Sequence, residues 1–154
     1  MTVTAAPAIP NLSRFITDLR SRRRDGVLSE LVDTAHHAGV VRTPAPVSEI
    51  VRLREKMIPG TIARDAVVVA ARSLAVARPL VVVGRSLRGI EWPGADDGVV
   101  HLAVLVLVPA EWSEDAFHAL LTRGTNLVRL QKHRQRLITH GSDTLVATLL
   151  RESA

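Results

Sequence analysis

Six histidines are the residues best equipped for proton or phosphoryl chemistry here, because imidazole alone titrates near neutral pH without help from its surroundings. His36 and His37 adjoin, so on a helix they face different directions and cannot share one metal; the i, i+4 spacing such sites use is absent. His101 opens an apolar run and reads as a hydrogen-bonded, half-buried strand residue. His118 follows Ser113–Asp115 by one helical turn and is the best placed of the six to touch a phosphate, although a solvated helix position is the simpler reading. His133 and His140 fall in the basic run Arg129, Lys132, Arg134, Arg136, which reads as a charged helix face. The chain has no GxGxxG, Walker loop, HExxH or GxSxG, and with no cysteine it has neither a thiolate zinc site nor a thiol nucleophile. No metal or cofactor is expected.

The net charge of +5 rests on arginine, since Lys56 and Lys132 are the only lysines. Arg20, Arg22, Arg23 and Arg24 set four cations within five positions, a repulsion that a phosphate or carboxylate partner would relieve. A solvated turn explains them more simply. Nucleic acid is the disfavoured partner: there is no recognised reading helix, and 3% aromatic content leaves few platforms for bases to stack on.

The elements that must position these groups follow from the apolar pattern. With 154 residues, 47% of them hydrophobic, one domain with one sizeable core is expected, spanning residues 11–154 after a disordered tail over 1–10. That tail, MTVTAAPAIP, lacks the basic start and apolar stretch of a signal peptide. Phe15 to Leu19 suits either an edge strand or a helix start. Val27, Leu28, Leu31, Val32 and Ala35 recur at helical spacing, with Asp25 as the expected N-cap and Gly39 as the C-cap. Thr43-Pro-Ala-Pro46 breaks the chain, and a second helix is expected from Val47 to Met57, ended by Pro59-Gly60.

A polar turn over Thr61, Arg64 and Asp65 then enters the Val-rich strand Ala66–Ala71, and further strands are expected at Pro79–Gly84 and Val99–Val108. The last is half the length of a membrane span and carries His101, which points to a buried strand, no membrane insertion and a cytoplasmic location. Ser113 caps a helix carrying Phe117, Leu120 and Leu121, in which Gly124 marks a break, and a final helix starts at Ser142 or Asp143. Strands that are apolar throughout must be covered on both faces. The fold class is therefore α/β, a three-layer sandwich with a central mixed β-sheet flanked by helices.

The order of these pieces resembles enzyme IIA of the bacterial sugar phosphotransferase system, fructose/mannitol class, over about Leu12 to Glu152. The resemblance is carried by Arg54-Glu55 after a helix, Thr61 and Val67–Val69, Pro79 to Arg85, Gly89-Ile90-Glu91-Trp92, and Asp97-Gly98 ahead of Val100 to Pro109. It implies a pocket formed by Arg54, Thr61 and Arg72, with His101 and His118 as the histidines left to serve it. In the family the Val-rich strand ends in Ile-Pro-His, whose histidine takes a phosphoryl group from a phosphocarrier protein and hands it to a IIB component. Counted from Thr61, the Pro and His positions fall on Ala70 and Ala71, and a methyl group supplies no lone pair to phosphorus. The family's second histidine falls near Ala116 or His118. The resemblance thus implies a degenerate IIA-like domain, regulatory or partner-binding, whose partners would be the phosphocarrier, a IIB component or another regulatory protein; a homodimer is compatible. Two alternatives stand beside it: an active IIA component using His101 or His118, and a basic nucleic-acid-binding protein.

Overall fold

A computed structural model describes residues 13–153, apart from the side chains of Thr61 and Ala63. The expected tail over residues 1–10 lies outside the described residues. The elements are β1 (Ser13–Ile16), α1 (Arg24–His37), α2 (Pro44–Met57), β2 (Thr61–Ala63), β3 (Ala66–Ser73), β4 (Leu80–Glu91), β5 (Val99–Pro109), α3 (Glu114–Arg129), α4 (Gln131–His140) and α5 (Asp143–Glu152). The strands form one mixed sheet in the order β1-β4-β5-β3-β2, parallel at β1–β4 and β3–β5 and antiparallel at β4–β5 and β2–β3.

β3, β4 and β5 are runs of Val, Leu and Ala because both their faces are buried. Val67, Val69, Ala71, Val82, Leu105 and Leu107 face one core with Leu28, Leu31 and Val32 of α1 and Val47 and Val51 of α2. Val68, Ala70, Val81, Val83, Val104 and Val106 face the other with Phe117, Leu120, Leu137 and Leu149 of α3, α4 and α5. The three-layer sandwich expected from the apolar strands is thus observed.

Several boundaries move, each for a local reason. Phe15 and Ile16 belong to an edge strand, tied to the far end of the chain: Ser13 Oγ donates to the Asp143 carbonyl (3.2 Å) and Phe15 N–H to Asp143 Oδ1 (2.7 Å). Asp25 sits inside the first turn of α1, not at its N-cap. Arg23 takes that place because it bridges Glu91 and the Glu91 N–H donates to the Arg22 carbonyl, so sheet pairing sets the helix start. Gly39, at φ 79°, follows the C-cap Ala38 in the left-handed conformation that closes helices. Pro44 and Pro46 open α2 instead of breaking the chain ahead of it, since first-turn residues need no N–H donor.

Thr61 is not in a turn. It pairs with Val68 in the three-residue β2, leaving Arg64 (φ 52°) and Asp65 as the hairpin turn. β3 runs on to Ser73, and β4 passes Gly84 to Glu91 through a register shift between Arg85 and Ile90, with Gly89 at φ 99°. Gly124 does not divide α3: a Cβ there would lie 2.9 Å from Val106 Cγ2, so the glycine lets the helix settle on the sheet. The break comes at Leu130, whose extended backbone separates α3 from α4.

Candidate functional site

β2 pairs only with Ala66 to Val68, so it leaves the second half of β3 without a strand neighbour on that side. The two helical layers approach each other around this open edge. A cavity of about 120 Å³ lies there, lined by Val51, Arg54 and Glu55 of α2, Gly60, Val68 to Ala70 of β3, and Leu121 of α3.

Arg54 is carried by the last turn of α2, with its guanidinium carbon 5.7 Å from the centre of the Phe117 ring. Arg72, from the end of β3, approaches the same ring at 5.6 Å. Phe117 therefore meets two cations, each at cation–π distance. Arg72 is also engaged elsewhere, donating to the Trp112 carbonyl (3.0 Å) and pairing with Glu114 (3.1 Å). Arg54 has no ion pair among the described residues. Its planar fork of donors suits a carboxylate or phosphate oxygen pair.

Glu55 is the site's missed residue. It is only 5% exposed and shares the buried stripe of α2 with Val47 and Val51 at i, i+4, i+8. The sequence carried that signal as a carboxylate on an apolar face. One oxygen accepts the Gly60 N–H at 2.9 Å, which pins the turn into β2. Burial raises its pKa above the ordinary 4.5, outweighing the Gly60 N–H, Trp92 and the charges of Arg24 and Arg54, which pull it down.

The structure sets Arg54 and Arg72 each within 5.7 Å of the centre of the Phe117 ring, and of the two only Arg54 lines the cavity. It puts the backbone of Thr61 beside Gly60, while the Thr61 side chain lies outside the described residues. Ala71 is not in the cavity wall: it is fully buried and points into the α1–α2 core. Its neighbour Ala70, on the opposite face of the strand, lines the cavity. His101 lies opposite Asp65, seven residues before Arg72, which is roughly 23 Å along the sheet. There its Nδ1 meets Asp65 Oδ1 at 2.8 Å, the half-buried, hydrogen-bonded state its sequence position predicts. His118 is exposed on α3, turned roughly 100° round the helix from the buried Phe117. Neither histidine serves the cavity.

The basic clusters also resolve. Glu30 accepts the N–H groups of Arg20 and Ser21, while Arg23 pairs with Glu91 and Arg24 with Asp25, as in a solvated turn. In the run from Arg129 to Arg136 the expected charged face holds for Arg129, Lys132 and Arg136, which are exposed, but not for His133 and Arg134, which are buried. Arg134 turns inward to cap the last carbonyls of α3, those of Val128 and Arg129, at 2.7 Å each. Trp92, Trp112 and Phe117 are buried too, so none offers a face to bases.

No model of a known protein family matches the chain. A curated relative, the fructose-specific EIIA component of the phosphotransferase system (PTS) of Haloferax volcanii, is 26% identical over 152 residues, 99% of this chain and 98% of that protein. The fructose-specific EIIABC component of Bacillus subtilis is 22% identical over 129 residues, 84% of this chain and 20% of that protein's length. This chain resembles fructose/mannitol-class enzyme IIA. Solved structures agree on the fold of this IIA-like chain. Escherichia coli IIA mannitol, in complex with phosphorylated IIB, superposes with a TM-score of 0.70 at 17% identity, covering 90% of this chain and 94% of that one. Nitrogen regulatory protein IIA-Ntr of Neisseria meningitidis gives 0.69 at 18%, covering 92% and 94%. No helix among the described residues of the IIA-like chain is long and apolar enough to cross a membrane.

Proposed function

We propose that this chain is a degenerate IIA-like domain: it docks a IIB component, the phosphocarrier or another regulatory protein, and receives an anionic group at Arg54 and Arg72 without carrying phosphate itself. The observation that supports this reading most directly is the cavity wall beside Arg54, where β3 presents Val68, Val69 and Ala70 and no imidazole. Phosphoramidate formation requires a ring-nitrogen lone pair at the reacting position, and alkyl side chains have none. The position equivalent to the phosphorylated histidine is then Ala70, whose side chain faces the cavity, in place of Ala71. The cations needed to hold a phosphoryl oxygen remain, so binding outlives transfer.

Docking has a surface to use. Ile50, Leu53 and Met57 are exposed apolar residues of α2, and exposed Ile58, which follows them, lines the cavity beside Arg54. The IIA mannitol structure bound to IIB supports a partner of that kind, and the likeness to nitrogen regulatory protein IIA-Ntr supports a regulatory role; a cytoplasmic location is part of the same proposal.

The test is incubation with enzyme I, phosphocarrier and labelled phosphoenolpyruvate. The chain stays unlabelled on this reading, and acid-labile label on any of its histidines overturns it. The alternative of an active component acting through His101 or His118 is disfavoured by their placement, and nucleic-acid binding by the burial of Trp92, Trp112 and Phe117, which leaves no stacking platform among them.

A further inference from the structure

On the side of α3 away from the cavity described above, a second hollow of about 180 Å³ lies among α3, α4 and α5, lined by Asn126, Arg129, Leu130, His133, Glu152 and Ser153. His133 is 4% exposed, and its Nδ1 is the one buried side-chain polar atom among the described residues with no hydrogen-bond partner. A buried polar atom left unpaired is costly and calls for an explanation.

The charges around the hollow are sorted by side. One wall is positive: α4 follows its N-cap Leu130 with no side-chain cap and no acidic residue in its first turn, Arg129 stands beside it, and the neutral-or-charged ring of His133 brings its unpaired Nδ1 to the same side. The facing wall is negative, formed by the C-terminal end of α5 with Glu152 and the Ser153 carbonyl, the latter accepting from Asn126 Nδ2 at 3.3 Å. The C-terminus of α3, which would otherwise spoil the positive wall, is neutralised by Arg134 on its last two carbonyls. No ion pair joins Arg129 to Glu152 among the described residues.

We infer that this hollow binds a small zwitterion of the α-amino acid class, its carboxylate toward Arg129, His133 and the start of α4 and its ammonium toward Glu152 and the end of α5. A simple anion would face the Glu152 carboxylate and a simple cation the Arg129 guanidinium, whereas one molecule bearing both charges satisfies both walls. The space equals that of about six waters, which suits an amino acid with a short side chain resting on Leu130. This inference is independent of the reading given to the β3 cavity.

The test is a heteronuclear NMR titration of the whole chain with L-alanine and L-serine, alongside acetate, inorganic phosphate and methylammonium as single-charge probes. Saturable shifts at Asn126, Arg129, His133 and Ser153 at millimolar amino acid are expected, with the single-charge probes weaker by about tenfold or more. Arg129 and Glu152 are exposed, so R129A and E152A keep the fold, and each should weaken amino-acid binding by about tenfold while leaving the signals of Phe117 and Arg54 in place. Absence of saturable shifts, equal binding of acetate or phosphate, or binding unchanged in E152A would each overturn the assignment.

Discussion

At the residue scale the alternation of a strand decides which alanine matters. Ala70 and Ala71 are neighbours in sequence, but one lines the cavity beside Arg54 and the other packs under α1 and α2. Restoring an imidazole separates them. A70H is expected to place a nucleophile at the cavity and to acquire acid-labile label from the phosphocarrier. A71H is expected to stay unlabelled and to lose about 1–3 kcal/mol or more in urea unfolding, because it overpacks a closed core and buries a polar ring. Label on A71H and none on A70H would reverse the assignment. The motif order on the sequence locates this strand and counting from Thr61 gives Ala71, while the proposed reading takes Ala70 because it faces the cavity; a one-residue slip on a strand exchanges the two faces.

Glu55 makes a second prediction at the same scale. Its pKa is raised in the folded state by burial, so the folded chain holds that proton more tightly than the unfolded one. Stability is therefore fullest below the ordinary glutamate pKa and declines as pH rises through the raised value. Thermal melts from about pH 4 to pH 7 should show this decline, and E55Q, which retains an acceptor for the Gly60 N–H, should flatten it. An unchanged slope in E55Q would remove Glu55 as the cause.

At the scale of elements, apolar periodicity located the helices and the three long strands, because burial on one stripe or on both faces is written directly in residue type. It misplaced ends governed by contacts distant in sequence. Arg23 starts α1 through its bridge to Glu91, and β2 exists because Thr61 finds Val68. In the basic run of α4, Lys132 and Arg136 are exposed as composition suggests, but nothing in composition reveals that Arg134 serves the carbonyls of α3. Gly124 suggests a break because glycine disfavours helices, yet its value here is closeness to Val106. G124A should thus destabilise the protein by about 1 kcal/mol net in urea titration, since steric conflict with a stiff, buried valine exceeds the gain in helix propensity. A more stable G124A would show that α3 has room to move.

At the scale of the molecule, the sheet is graded from its centre outward. β5 is paired on both sides along most of its length and buried on both faces, while β1 and β2 are short edges. Native-state hydrogen exchange should be slowest at Val104 to Leu107 and fastest at Ile62 and at the β1 amides. Equal protection of β2 and β5 would contradict this gradient. The open stretch of β3 beside β2 is where the candidate site lies, so the margin of the sheet expected to exchange fastest and the candidate cavity share a border.

The bond pair from Ser13 and Phe15 to Asp143 gives the ends of the described fold a common fate. A pull on the leading strand therefore loads two attachments at once, the closing helix through Asp143 and the sheet through its ladder with β4, so the start of the described chain is fastened as a latch is, at two points.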